Sequence, residues 1–489
     1  MSIHKITPFI SDIKRFFKNN DHTEAMQTIS MILSGVRMTE RFTLGVKSKC
    51  NTRYSVLGVF QALIVMAFMG SRNIFRSKGS SLEELTAAQK DVYYRFIKNP
   101  SVKWRNALWS ISCQLWNKIR LRSEHKSEDT CLIIDDTDFH KTGRAIENIG
   151  RVYSHLEHKC ILGFKALFMA VTDGLSQIIL DFALIGEKGK TGKYGMSDKE
   201  IEARHDYDRE SGIEPYEERA NEYGLSKIEL AKQMIRRAIK RGVRFSYVLA
   251  DSWFTCKELI RFMQGRRVKC HWLGMIKVGE SGKGQGKMKF KTEHGLLNAS
   301  ALVRKFRNNS KVRKYSRRLN CYYMTFDATV DGLKVRLFLI RRGRKGQWNG
   351  LLTTDRELQF MKAWEIYSRR WTLEVLFKDC KQYLGLGKCQ STNFASQIAD
   401  TTLCAIRYNI LSVAKRFSDY ETIGELFREV SQETRQLSIA QQIWGILQTI
   451  VNAIVELFGI TEETAYDTII NRSEEIKHIC QYFNLKSAS

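Results

Sequence analysis

The middle of the chain contains short apolar runs that predict buried strands. Thr130–Ile134 is followed by Asp135 and Asp136, and the runs Leu162–Val171 and Gln177–Leu184 are joined by a short turn. Apolar runs of this length, bounded by turn residues, are typical of strands that are covered on both faces. We therefore expect a strand that leads into a β-hairpin, as in an α/β core with mixed strand directions.

Further along the chain, Phe245–Ala250 predicts another buried strand, which ends at Asp251. Residues 322–326 and 335–339 alternate between apolar and polar positions, a pattern of strands with one buried face. The other elements predicted here are helices at Lys227–Lys240, at Cys256–Gln264 and from about Arg356 onwards, and a strand at Trp348–Thr354.

Both ends of the chain have apolar positions at helical spacing. At the N-terminal end these are Ala25–Ile32, Val56–Met69 and Trp104–Ile119. At the C-terminal end they include Trp444, Leu447, Ile450, Ile454 and Phe458. We expect four regions: a helical N-terminal DNA-binding region at 1–125, an α/β core at 126–264 and 352–395, a basic β-rich insertion at 265–351, and a helical C-terminal region at 396–489.

Charge separates the insertion from the rest of the chain. The net charge of the chain is +27, and residues 261–350 alone carry 23 Lys or Arg against 4 Asp or Glu. Aromatic residues such as Tyr315, Tyr322 and Trp348 lie among these cations. Cations interleaved with flat rings suit a phosphate backbone with accessible bases, so we expect nucleic acid as the partner.

Other classes of protein are disfavoured by composition. No segment reaches the roughly 18 apolar residues that a transmembrane helix requires, so no membrane association is expected. The eleven cysteines form no C-x-x-C pair. This pattern favours reduced thiols in an intracellular protein over a disulfide framework or a zinc ribbon.

Acidic residues at the ends of strands are the first candidates for chemistry. Asp135, Asp136 and Asp251 each follow an apolar strand, and α/β folds keep their sites at the carboxyl ends of strands. An aspartate at a strand end is also a common turn residue. These positions alone therefore leave both interpretations open.

A second candidate is the row Tyr367, Arg370, Glu374, Lys378 and Lys381. At about 100° per residue these five side chains fall within an arc of roughly 80° on one helix. A solvent-exposed helix with ion pairs four residues apart would give the same pattern. The row is thus compatible with a functional face and with an ordinary surface.

The spacing Tyr367-x2-Arg370-x3-Glu374-x6-Lys381 resembles the Y-R-E-K signature of the bacterial insertion-sequence transposases of family four. The Ile-Asp-Asp-Thr and Leu-Ala-Asp-Ser strands are similar to the first and second catalytic blocks of that family, and the resemblance extends over residues 130–390. It implies a ribonuclease-H-like, retroviral-integrase-like core with Asp136, Asp251 and Glu374 as catalytic residues. The Asp-Thr pattern selects Asp136 and leaves Asp135 as the alternative.

The resemblance also implies a cofactor and DNA contacts. Asp136, Asp251 and Glu374 would bind two Mg²⁺ ions, with Mn²⁺ as a substitute. Tyr367, Arg370, Lys378 and Lys381 would contact DNA. In relatives the β-rich insertion holds a flipped base against an aromatic ring, and Trp348 lies near that position. Trp272 is the other candidate, and a buried core tryptophan is the alternative interpretation of both.

The function implied is that of a cut-and-paste DDE DNA transposase. It would bind the terminal inverted repeats of its element as a homodimer, cleave the ends and join the 3′-hydroxyls to target DNA. Its location would be cytoplasmic, in association with the nucleoid. The alternatives are a nuclease of the same fold without strand transfer, and a non-catalytic DNA-binding derivative.

Overall fold

The computed structural model describes residues 32–33, 35–49, 53–68, 74, 88–122, 130–187, 192–204, 214–279, 286, 288–343 and 346–432. Within these ranges, twelve strands belong to one sheet. In chain order they are β1 (Cys131–His140), β2 (Gly150–Ser154), β3 (Lys159–Thr172), β4 (Gln177–Ile185), β5 (Tyr247–Ala250), β6 (His271–Ile276), β7 (Lys289–Thr292), β8 (Gly295–Asn298), β9 (Lys314–Ser316), β10 (Cys321–Val330), β11 (Leu333–Arg342) and β12 (Trp348–Thr353).

The α-helices connect and flank these strands. They are α1 (Val56–Met66), α2 (Lys90–Lys98), α3 (Trp104–Arg122), α4 (Asp198–Glu202), α5 (Glu214–Glu222), α6 (Lys227–Lys240), α7 (Lys257–Met263), α8 (Ala299–Phe306), α9 (Phe360–Ser368), α10 (Trp371–Tyr383) and α11 (Phe394–Arg416). Residues 423–432 are also helical. The helix predicted at Ala25–Ile32 falls almost entirely outside the described residues, and the one predicted around Trp444–Phe458 falls entirely outside them.

The chain divides into two compact units. One comprises residues 108–381 and 386–398 and contains the whole sheet. The other comprises residues 1–107, 382–385 and 399–489. Its described part includes α1, whose Leu63 and Ile64 carbonyls accept hydrogen bonds from the buried guanidinium of Arg407. In the described part of the chain, no helix has the length and apolar character needed to span a bilayer.

Half of the sheet has the order β4-β3-β1-β5-β6. The strands β4, β3 and β1 are antiparallel neighbours, whereas β1, β5 and β6 run parallel. Parallel neighbours need crossover connections, which α6 and α7 provide. A hairpin attached to three parallel strands confirms the expected mixed α/β, ribonuclease-H-like core.

The basic insertion continues this sheet. Strand β12 pairs antiparallel with β6, and β11, β10, β7 and β8 follow in order. Close approach of β6 and β12 depends on Gly350, because a Cβ there would lie 2.5 Å from Cγ1 of Ile276. The β-rich insertion is therefore an extension of the core sheet.

Burial along β1 determines where chemistry can occur. Cys131–Ile134 is fully buried, whereas Asp135, Asp136, Thr137 and Asp138 are partly accessible. Full burial of consecutive residues ends at Ile134, and the partly accessible acids follow within the same strand, before the buried Phe139. The candidate site therefore lies in the second half of β1.

One predicted helix is interrupted. The helix expected from about Arg356 begins at Phe360 and divides at Arg369 and Arg370 into α9 and α10. The amide groups of Arg369 and Arg370 donate to carbonyls three residues earlier, which is the tighter 3₁₀ spacing. The expectation of one continuous helix was wrong, and the Tyr367-to-Lys381 row spans two helices.

Candidate active site

Asp135 and Asp251 follow the last register pair of two parallel strands, Asp135 in the middle of β1 and Asp251 directly after β5. The register between β1 and β5 ends with the pair Ile134–Ala250, so the next positions are the two aspartates. Side chains at matched positions of adjacent strands point to the same face of a sheet. Pairing of the strands thus brings Asp135, rather than Asp136, to the face occupied by Asp251.

Burial and neighbouring charges raise the pKa of both acids. Burial and the negative charge of Asp251 raise the pKa of Asp135 to about 7, against the opposing effect of Arg370. Burial and the negative charge of Asp136 raise the pKa of Asp251, although the amide groups of Trp253 and Phe254 favour its ionised form. Two partly buried carboxylates on neighbouring strands favour a cation between them.

Arg370 connects the strand acids to the helix acid. Its Nη1 donates to Oδ2 of Asp135 and its Nη2 donates to Oε1 of Glu374, each at 2.9 Å. Arg370 is buried in the turn between α9 and α10, whereas the Glu374 side chain is half exposed. The turn that interrupts the helix therefore directs the guanidinium towards β1.

Tyr367 lies beneath the site. It is buried, and its hydroxyl donates to the carbonyl of Ala250 at 3.3 Å. Burial raises the pKa of the phenol. Tyr367, which was predicted to contact DNA, therefore supports the end of β5 through this hydrogen bond.

The two lysines of the row differ in their surroundings. Nζ of Lys381 donates to Oγ1 of Thr137 at 2.6 Å, and Thr137 shares a face of β1 with Asp135. Burial lowers the pKa of Lys381. Lys378 is exposed one helical turn earlier. Only Lys381 is fixed against the strand that carries the acids.

Asp136 faces the opposite side of β1. Both of its carboxylate oxygens accept from Nζ of Lys227, at 3.1 and 3.2 Å. Nζ of Lys165 lies 3.7 Å from Oδ2 of Asp136 and also pairs with Asp138. The acid selected by the Asp-Thr pattern thus hydrogen-bonds to Lys227 and forms a longer ion pair with Lys165, whereas its neighbour Asp135 contacts Arg370.

The donor set suits a hard divalent cation. Asp135, Asp251 and Glu374 supply carboxylate oxygens, the ligands that Mg²⁺ and Mn²⁺ prefer. Within the ranges that the structure describes, no three His, Cys, Asp or Glu side chains are grouped closely enough to hold a metal ion. Since Arg370 is paired with both Asp135 and Glu374, cation binding requires this guanidinium to release at least one of them.

Trp348 belongs to a row of side chains across the insertion. The strand registers align Tyr315 with Tyr322, Tyr322 with Arg341, and Arg341 with Trp348. The Arg341 guanidinium lies 5.2 Å from the Tyr322 ring centre and 5.1 Å from that of Trp348. The other candidate, Trp272, is fully buried in β6. Trp348 is half-buried, and its row forms a cationic aromatic surface.

Sequence reasoning missed two residues beside the acids. Lys227, at the start of α6, and Trp253, two residues after Asp251, approach each other to 4.6 Å between Nζ and the ring centre. The signal for Trp253 was its closeness in sequence to Asp251. Lys227 gave no signal, because a lysine on an amphipathic helix is ordinary.

Two family models match the chain. The one described as DDE superfamily endonuclease matches residues 75–278, and the one described as Transposase DDE domain matches residues 225–410. The first range includes the β1 acids and Asp251, and the second includes Asp251 and Glu374. Residues 75–410 are therefore similar in sequence to DDE endonucleases and transposases.

Similarity to individual proteins is weaker than similarity to the two family models. No curated protein matches the chain. Among solved structures, a piggyBac transposase synaptic complex with hairpin DNA matches with a TM-score of 0.41 and 10% sequence identity, over 87% of this chain and 83% of that chain.

Proposed function

We propose that the protein is a DDE transposase that cleaves the ends of its own element and joins them to target DNA. The observation that carries this proposal has two parts. Asp135 and Asp251 both follow the last β1–β5 register pair, Ile134–Ala250, and Arg370 bridges Asp135 to Glu374. The two DDE family matches support it. Assignment to family four of the insertion-sequence transposases rests on the Y-R-E-K spacing.

Asp135, Asp251 and Glu374 are the proposed cation ligands. Asp136 is the sequence-based choice for the first position, and we prefer Asp135 because it faces Asp251. Two Mg²⁺ ions held by these carboxylates, or Mn²⁺ in their place, would supply activation of the attacking oxygen and stabilisation of the leaving oxygen at phosphorus. The protein's own contribution is to hold two acids at neighbouring positions of paired interior strands.

The positive side chains of the row bind phosphate. Lys381 is oriented by Thr137 towards the face of the acids, and Lys378 extends into solvent. Arg370 can replace its carboxylate partners by phosphate oxygens, for which its planar fork is equally suited. Tyr367 acts in this scheme through Ala250, by supporting β5.

The insertion is the proposed contact for the cleaved DNA end. Its aromatic and guanidinium row, which includes Trp348, offers ring faces to unpaired bases and charge to the backbone. The N-terminal helical region supplies Arg53 and Lys103 for phosphate contacts with the terminal inverted repeats, while Arg72, Arg76 and Lys78 lie outside the described residues. A homodimer would pair the two ends, in the cytoplasm near the nucleoid.

A strand-transfer assay tests the proposal. Purified protein, a pre-cleaved duplex carrying the element's end and a supercoiled target plasmid are incubated with Mg²⁺. We expect joined products from the wild type and none from Glu374→Gln, which should bind the end almost normally because it retains the cationic surfaces. Cleavage without joining would indicate a nuclease, and binding without either reaction would indicate a non-catalytic derivative.

A further inference from the structure

The orientation of Asp251 depends on the loop that follows it. Its Oδ1 accepts the amide N–H of Trp253 at 2.9 Å and that of Phe254 at 3.4 Å. The hydroxyl of Thr255 donates to the Asp251 carbonyl. Because the carboxylate is bonded to its own loop, displacement of that loop would turn the carboxylate as well.

Trp253 is not fixed by burial. Its side chain is 44% exposed, and its ring meets the buried Phe254 ring edge-on, with 5.1 Å between the centres. Nζ of Lys227 also contacts the indole, 4.6 Å from the ring centre. An ammonium over an indole face is attracted by the ring quadrupole.

Lys227 has an unusual place for a lysine. It is the first residue of α6, where the helix dipole disfavours positive charge. Its side chain is only 9% exposed, and its Nζ bonds to both oxygens of Asp136. Asp136, the indole of Trp253 and the Glu187 carboxylate, 4.0 Å from Nζ, therefore compensate a charge that the helix end opposes.

We propose that Lys227 and Trp253 form a clamp that positions Asp251 for cation binding. The chain of contacts runs from Asp136 through Lys227 and Trp253 to the Asp251 carboxylate. In this arrangement Asp136 anchors the clamp from the opposite face of β1, and Lys227 and Trp253 are positioning residues. This inference rests on the proposed function and adds residues that the DDE pattern does not include.

The clamp predicts a specific loss of metal affinity. In calorimetric titrations of the full-length protein with Mn²⁺, Lys227→Met and Trp253→Ala should each weaken binding by about tenfold or more, as expected when support of a metal ligand is lost. Lys227→Arg and Trp253→Phe retain the cation and the ring, so their affinity should stay within about threefold of wild type. The double variant Lys227→Met/Trp253→Ala should bind Mn²⁺ no more weakly than either single variant, because each substitution removes the same Lys227–Trp253 contact.

A matched control lies on the same helix as Lys227. Arg236 of α6 stands over the ring of Phe262 of α7, 5.1 Å from its centre. Arg236→Met therefore removes a similar cation–ring contact that does not involve the Asp251 loop, and it should leave Mn²⁺ affinity unchanged. Affinity for a mixed-sequence DNA duplex, measured by fluorescence anisotropy, should be equal in all these variants except for the small effect of one surface charge.

The outcomes separate the clamp from the function on which it rests. Wild-type Mn²⁺ affinity in both Lys227→Met and Trp253→Ala, together with loss of binding in Glu374→Gln, would overturn the clamp alone. A loss in Trp253→Ala without a loss in Lys227→Met would also overturn it, since the indole would then act through packing alone. Absence of Mn²⁺ binding by the wild type would overturn the proposed function itself.

Discussion

Asp135→Asn should abolish DNA cleavage in Mg²⁺, with a loss of at least about 10³-fold in rate. The amide keeps the size of the side chain and can still accept a hydrogen bond from Arg370. It lacks the negative charge that a divalent cation requires beside Asp251. The measurement is the initial rate of strand cleavage on a labelled duplex that carries the element's end.

Asp136→Asn is the matched control, one residue away on the same strand. Its side chain faces Lys165 and Lys227. We expect cleavage at saturating Mg²⁺ within about tenfold of wild type, since Asp136 acts on the site through the clamp and through its charge, and not as a cation ligand. The opposite result, with Asp136→Asn inactive and Asp135→Asn active, would identify Asp136 as the first catalytic aspartate.

A stability measurement on Asp135→Asn can exclude unfolding as the cause of its lost cleavage. The pKa of Asp135 is raised to about 7 from an ordinary value near 4, so between these pH values the folded protein holds more protons than the unfolded chain. The contribution of this group to the free energy of unfolding therefore falls as pH rises from about 4 to about 7. Asparagine does not ionise, so in EDTA at pH 8 Asp135→Asn should be at least as stable as wild type.

Lys165→Met should destabilise the unit that contains the sheet by about 3–5 kcal/mol. The lysine is 1% exposed, pairs with Asp138, lies near Asp136 and donates to the carbonyl of Tyr153 at 2.8 Å. Methionine fills similar volume but leaves the carboxylate of Asp138 without its counter-charge. Denaturant unfolding followed by circular dichroism measures the change.

The double variant Lys165→Met/Asp138→Asn distinguishes charge from packing. If the lost ion pair causes the destabilisation, removal of the second charge should recover part of it, giving a coupling energy above about 1 kcal/mol. Equal destabilisation of the single and double variants would assign the effect to packing. A Lys165→Met protein within about 1 kcal/mol of wild type would refute the proposed role of the pair.

The strands and most helices of the core were predictable because their apolar runs are unambiguous. The helix Lys227–Lys240 has the predicted ends, and the strands β3 and β4 are each longer than predicted by one to four residues. The short strand β2 was missed, since Gly150–Ser154 has no apolar run. The break at Arg369 and Arg370 was missed because both residues are good helix formers, and only packing against β1 favours the turn.

The choice between Asp135 and Asp136 could not be made from the sequence. Residues 135–138 are all polar, so alternation along β1 does not indicate which of these side chains lie on the same face of the sheet as Asp251. Only the register with β5 shows that Asp135 is the neighbour of Asp251. The Lys227–Trp253 contact was equally inaccessible, because it joins a helix start to a loop beyond the next strand.

The most direct test of the proposed site is a crystal of the protein soaked in Mn²⁺ and measured at the manganese absorption edge. We predict anomalous peaks at coordination distance, about 2.1 Å, from the carboxylate oxygens of Asp135, Asp251 and Glu374, with Arg370 released from at least one carboxylate. Peaks bound to Asp136 instead, or no peak beside Asp251, would contradict the assignment.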